Sequence, residues 1–146
     1  MIRQATQEDF DPLCDLLRKA HEEKSNYSET PYNEDIAKHS IRTFMEHPGA
    51  VVLLLERDGI QGVFAGVINP EWWHMGKTAI QLFWYVVPEH RGSGWMLVRA
   101  FERWARKQPG VDRVMCGNSF SDDDRVDKLF LKLGYEKFNT NYYRGV

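Results

Sequence analysis

Pro88-Glu89-His90-Arg91-Gly92-Ser93-Gly94 is the stretch whose residue types and spacing point most directly to chemistry. It lies between the apolar run Ile80-Gln81-Leu82-Phe83-Trp84-Tyr85-Val86-Val87 and a helical pattern that opens near Gly94. A strand that passes through a glycine-bearing turn into a helix N-terminus suits the phosphates of a ligand. The first helical N–H groups have no intrahelical partner there, and the helix dipole favours negative charge. Glycine permits close backbone approach, and Arg91 adds a charge-assisted donor. The wording is neither Gly-x-Gly-x-x-Gly nor a P-loop. Taken alone, the stretch also reads as a polar turn between a buried strand and a surface helix.

The elements that must position this turn follow from periodicity. Residues 2–5 read as a short first strand. Thr6 caps a helix, with Asp9 three residues on and Leu13, Leu16, Leu17 and Ala20 as its apolar stripe. Polar residues from Glu22 to Tyr32, with Pro31, interrupt the pattern. A second helix opens at Asn33, turns Ile36, Ser40, Ile41, Phe44 and Met45 inward, and stops before Pro48-Gly49. Residues 51–55 are continuously apolar, as in a strand covered on both faces. Asp58-Gly59 predicts a tight hairpin into residues 61–68. A loop with Trp72, Trp73 and His74 precedes the long strand 78–87.

Beyond the turn, Leu97, Val98, Phe101, Trp104 and Ala105 mark a third helix that ends at Pro109-Gly110. Residues 111–116 read as another buried strand. Asp122-Asp123-Asp124 opens a last helix with Val126, Leu129, Phe130 and Leu133 inward and Gly134 as its C-terminal cap. Residues 135–138 and 142–144 read as two short strands. The order β-α-α-β-β-β-loop-α-β-α-β-β predicts an α/β fold with a mixed sheet and helices on both faces.

The chain has 146 residues, 42% of them hydrophobic, which suits one domain over 1–146 with its own core. A net charge of −2 gives no global field for nucleic acid or an anionic membrane. No apolar run reaches the length of a membrane span, and the N-terminus does not read as a signal peptide. Cys14 and Cys116 lack metal-ligand spacing and read as buried thiols rather than a disulfide. The expectation is a soluble, cytoplasmic protein with no metal site.

The strand order, with the glycine turn between the fourth strand and third helix, resembles the GNAT superfamily of acyl-CoA-dependent N-acyltransferases. Arg91-Gly92-Ser93-Gly94-Trp95-Met96 is similar to the family's Gln/Arg-x-x-Gly-x-Gly/Ala loop, with Met96 where a small residue is usual. Leu129-Phe130-Leu131-Lys132-Leu133-Gly134-Tyr135 is similar to the family's Leu-Tyr-x-Lys-x-Gly-Phe ending. Residues 82–89 and 101–105 also look like GNAT proteins of bacteriophage and prophage genomes.

The resemblance implies acetyl-CoA as cofactor and direct attack of an amine on its thioester, with no covalent enzyme intermediate. Backbone N–H groups of Arg91, Gly92, Ser93, Gly94, Trp95 and Met96 would hold the pyrophosphate. Backbone groups of Trp84, Tyr85, Val86 and Val87 would pair with the pantetheine arm, opposite a splayed strand 111–116. Orientation, oxyanion stabilisation and proton transfer would then supply the rate. The family's usual thiolate acid falls at Phe130, which cannot donate a proton. Tyr85, Ser119 and Ser121 are the candidate substitutes, and the sequence selects none of them.

His74, whose ordinary pKa suits a general base, shares its loop with Glu71 and is equally readable as a solvated residue. Asp122-Asp123-Asp124 reads as helix capping or as recognition of a cationic acceptor. Trp72 and Trp73 read as an acceptor wall or as cover for the core. The acceptor would be a primary amine of a small molecule or protein, and Tyr142-Tyr143 would allow a homodimer. The other class of reading is a GNAT-fold binding or structural module without turnover.

Overall fold

A computed structural model describes residues 1–23, 30–118, 123–142 and 144–145. Five strands form one sheet in the order β1-β2-β3-β4-β5. They are β1 (Ile2–Gln4), β2 (Ala50–Glu56), β3 (Ile60–Pro70), β4 (Lys77–Val86) and β5 (Val111–Met115). The first four pair antiparallel, and β5 joins β4 in parallel. The helices are α1 (Phe10–Glu22), α2 (Glu34–Glu46), α3 (Trp95–Arg106) and α4 (Asp124–Lys132). The mixed α/β architecture predicted from the sequence is therefore the one observed.

Alternation along β2 explains how one sheet serves two cores. Val51, Leu53 and Leu55 join Leu97, Val98, Phe101 and Phe130 of α3 and α4. Val52 and Leu54 face the other way, onto Leu13, Leu16, Ala20 and Ile41 of α1 and α2. Six consecutive buried residues are what a strand covered on both faces requires. Asp58 and Gly59 both sit at positive φ in the β2–β3 hairpin, the conformation that this dipeptide favours.

Local capping follows the sequence. The Asp9 carboxylate accepts from the Thr6 N–H at 2.7 Å, and the Asn33 side chain accepts from the Ile36 N–H at 3.0 Å. Arg3 ties β1 to both neighbours, through Asp9 at 2.7 Å and Glu56 at 2.7 Å. Cys14 and Cys116 are free thiols.

Two expectations are corrected. Ile36 is 65% exposed, and the inward face of α2 is carried by Ile41. Residues 135–142 form no strand. Gly134 adopts a positive φ and the Tyr135 N–H donates to the Phe130 carbonyl at 3.0 Å, so the chain closes the end of α4. Tyr135 then turns onto Phe130, and Phe138 and Tyr142 remain exposed.

Candidate functional site

The sheet opens where the sequence placed its chemistry. Only Lys77, Thr78, Ala79 and Ile80 of β4 pair with β5. At the next residue the Gln81 side chain takes over the role of the ladder. Its Nε2 donates to the Gly117 carbonyl at 3.1 Å, and its Oε1 accepts from the Gly117 N–H at 3.2 Å. Beyond that bridge, no pair between β4 and β5 forms among the described residues.

A bulge lies at the same point, because Gly66 pairs with Gln81 and Ala65 with Phe83. Leu82 is the extra residue, and it is 42% exposed. The Val87 N–H donates to the Gln61 carbonyl at 2.9 Å, so this expected pantetheine contact is already engaged with β3. Antiparallel alternation from that pair turns the N–H and C=O of Trp84, and the N–H of Val86, toward the open edge. The Val86 carbonyl is occupied by Arg91 Nε at 3.1 Å.

The glycine turn follows directly. Pro88–Ser93 winds as a 3-10 turn, and α3 begins at Trp95. The Gly94 N–H donates to the Arg91 carbonyl at 3.0 Å, which corrects the expectation that it stays open for a phosphate. Gly94 is required by packing, since a Cβ there would meet Trp84 Cζ2 at 3.1 Å and the Arg91 carbonyl at 3.3 Å. A Cβ on Gly92 would meet nothing within 4 Å. Met96 is half-buried beside fully buried Leu97, so it does not lift α3 from the sheet.

The Arg91 guanidinium folds back and pairs with Glu23, at the C-terminal end of α1. Glu23 also accepts from the Tyr85 hydroxyl at 2.7 Å. Burial, reinforced by this carboxylate, pushes the Tyr85 pKa up to about 12. Tyr85 thus keeps its proton at neutral pH and directs it at Glu23. Sequence reasoning did not single out Glu23; the contact spans 62 positions and leaves no local signal.

On the α1–α2 face of the opening lies a cavity of about 420 Å³ whose β4 wall is Leu82 and Phe83. On the opposite face Phe130 is buried against Trp84 and Tyr135, with ring centroids 5.7 and 5.3 Å away. Its role there is packing. The Trp84 Nε1 is buried without a hydrogen-bond partner.

Other predicted site residues stand elsewhere. His74 lies in the loop before β4, beside Asp112 near the start of β5, with the paired residues 77–80, about 3.3 Å each, between it and the apex at Gln81. Its Nε2 is 3.7 Å from Asp112 and its Nδ1 accepts from the Gly76 N–H at 3.1 Å. The structure does not bring it to the opening. Glu71, in the same loop, accepts from the Thr78 hydroxyl. Trp72 and Trp73 are 90% and 52% exposed and meet edge to face, so they do not close the core.

Asp123 caps α4 by accepting from the Arg125 N–H at 3.0 Å, and its pairing with Arg125 holds its pKa down at about 2. Ser119, Ser121, Asp122 and Tyr143 lie outside the described residues. Among the described residues no cluster of His, Cys, Asp or Glu could hold a metal ion, and no helix is long and apolar enough to cross a membrane.

A sheet split between a parallel pair, with a glycine turn leading from the split strand into a helix, defines a mixed α/β domain of the kind that the GNAT resemblance implies. The family model for the acetyltransferase (GNAT) domain matches residues 1–136, and the chain belongs to that family. No curated protein matches the chain. Several solved structures share the fold. A probable acetyltransferase superposes with a TM-score of 0.79 at 20% identity, covering 100% of this chain and 97% of that one. The aminoglycoside 6′-N-acetyltransferase AAC(6′)-Ig from Acinetobacter haemolyticus gives 0.75 at 18% identity, covering 100% and 97%. AAC(6′)-Iy, solved with a bisubstrate analogue of CoA and acetylneamine, gives 0.77 at 18% identity, again covering 100% and 97%. At these identities the likeness establishes the fold.

Proposed function

We propose that this single-domain protein is an acetyl-CoA-dependent N-acetyltransferase that acts on a primary amine. The observation that carries the reading is the opening between β4 and β5, pinned at its apex by Gln81 and running to the glycine turn. One feature fits acetyl-CoA: the Trp84 and Val86 backbone groups on the open edge suit the amides of an extended arm. The turn at Arg91-Gly92-Ser93 and the start of α3 at Trp95 and Met96 would receive the pyrophosphate. Acetyl-CoA would supply an activated acetyl group, its C–S bond breaking as the N–C bond forms, with the amine's proton passing to water and the sulfur leaving as the thiolate.

The chain's own residues orient and hold protons. Arg91 is a cation poised at the turn, and it exchanges Glu23 for phosphate oxygens. Tyr85 retains its proton at the hydroxyl throughout the neutral range and fixes Glu23 against β4. Phe130 excludes water and donates nothing, and a CoA thiolate is a stable enough leaving group near neutral pH to depart without an acid. His74, at the far end of β4, takes no part.

A second reading, a GNAT-fold module that binds without turnover, draws on the buried phenylalanine at position 130 and on the Arg91–Glu23 pair. Calorimetric titration with acetyl-CoA of the wild type and Arg91→Ala, followed by an amine-dependent thiol-release assay, separates the readings. Binding weakened by the substitution, with thiol release, supports the enzyme. Binding without release for any amine favours the module, and no binding by the wild type refutes the enzyme and leaves a GNAT-fold structural or interaction module.

A further inference from the structure

Resting on the acetyltransferase reading, we infer that the acceptor is a primary amine with an apolar body, an alkyl or arylalkyl amine rather than a polyamine or an aminoglycoside. The cavity on the α1–α2 face is of small-molecule size, about 420 Å³. It begins at Leu82 and Phe83, directly past the bulge where β4 leaves β5, so an amine that entered it would present its nitrogen at the opening. Its floor is Val63 and Ala65 of β3, and its roof Leu17, Ile41 and Phe44 of α1 and α2.

Among the described residues the polar groups on the lining are few: His21 and Tyr32, whose rings lie 5.1 Å apart, and the Ser40 hydroxyl. None of the described lining residues is a carboxylate. A polycationic sugar or polyamine would surrender its hydration to these walls and find no opposite charge in return, which is costly. An alkyl or aryl group surrenders only apolar surface, and its burial is favourable. The asymmetry selects the acceptor by its body, leaving the amine itself at the mouth of the opening.

The alternative occupant of such a cavity is a long acyl chain on the CoA side, and the experiment separates the two. Thiol release is followed at saturating acetyl-CoA with ethylamine, butylamine, hexylamine, phenethylamine, spermidine and kanamycin. In parallel, phenethylamine binding is measured by calorimetry without acetyl-CoA. The expected kcat/KM rises about fourfold per added methylene until the cavity is filled, and phenethylamine exceeds spermidine and kanamycin.

Ala37→Phe, which projects a ring into the cavity from α2, raises the phenethylamine KM at least tenfold while leaving the acetyl-CoA Kd unchanged. Ser40→Phe provides a second filled cavity if the first variant fails to fold. A flat alkyl series, a preference for spermidine or kanamycin, or Ala37→Phe acting on octanoyl-CoA instead of the amine would overturn the assignment. If acetyl-CoA does not bind, the enzymatic reading falls alone. Phenethylamine binding that Ala37→Phe abolishes still upholds the cavity, and no phenethylamine binding refutes it.

Discussion

Replacing Gln81 tests whether the opening of the sheet is held by a side chain. The two bonds to Gly117, at 3.1 and 3.2 Å, are the described contacts that span β4 and the end of β5 beyond Ile80. Each such bond contributes about 0.5–1.5 kcal/mol net. Gly117 is exposed, so water replaces the lost partners and the cost of Gln81→Ala falls at the low end, about 1 kcal/mol in total. For a domain of this size that lowers Tm by about 2–4 °C. Gln81→Glu is the sharper probe. An ionised carboxylate still accepts from the Gly117 N–H, but it faces the Gly117 carbonyl with no proton to give. Its loss therefore matches or exceeds that of alanine at pH 7, and shrinks at acid pH relative to wild type as the carboxyl gains a donor proton. Thermal unfolding followed by circular dichroism at pH 7 and pH 4.5 reads both, and the acetyl-CoA Kd of the alanine variant should weaken as the apex loosens. An unchanged Tm for Gln81→Ala, or a glutamate variant indistinguishable from wild type at pH 7, would refute the reasoning.

Other perturbations have equally definite outcomes. Gly94→Ala forces a methyl against Trp84 and the Arg91 carbonyl, and should cost about 1–3 kcal/mol by overpacking; denaturant titration checks it, with Gly92→Ala as the near-neutral control. Asp9, 7% exposed and paired with Arg3, has its pKa held below the ordinary carboxylate range, chiefly by the Arg3 hydrogen bond. The stability it contributes is complete above the ordinary value of about 4 and is lost as pH falls below it; Asp9→Asn should flatten that acid limb in pH-dependent urea melts. Tyr85, raised to about 12, contributes stability that is complete below the ordinary tyrosine value of about 10 and is lost as pH climbs toward 12. Glu23→Gln should lower the Tyr85 pKa in a pH titration of its own ring resonances by nuclear magnetic resonance, and no movement would mean that the carboxylate does not reach the phenol.

The regular elements were legible because each carries its own period or punctuation. The continuous run 51–55, the Asp58-Gly59 hairpin and the Asn33 cap are local signals, and all three appear in place. The glycine turn between β4 and α3 was legible for the same reason. What stayed hidden depended on distant partners. The Arg91 guanidinium, expected to offer a donor to phosphate, pairs with Glu23, 68 positions away, a contact with no local signal. The stretch 135–138 had suitable residue types for a strand, but the cap at Gly134 turns Tyr135 onto Phe130 and no strand forms. The aromatic pair Trp72-Trp73 gave no clue to its exposure, since hydrophobicity alone does not say which end of a strand faces the core. The bulge at Leu82 was equally invisible, although it shapes the wall of the cavity.

The central claim is that the edge of β4 at Trp84 and Val86 receives the arm of acetyl-CoA. Amide hydrogen exchange by nuclear magnetic resonance, with and without saturating acetyl-CoA, tests it residue by residue. The account predicts new protection at the Trp84 and Val86 amides, which face the opening, and little change at Val87, which already donates to Gln61. Binding that leaves Trp84 and Val86 unprotected would contradict it.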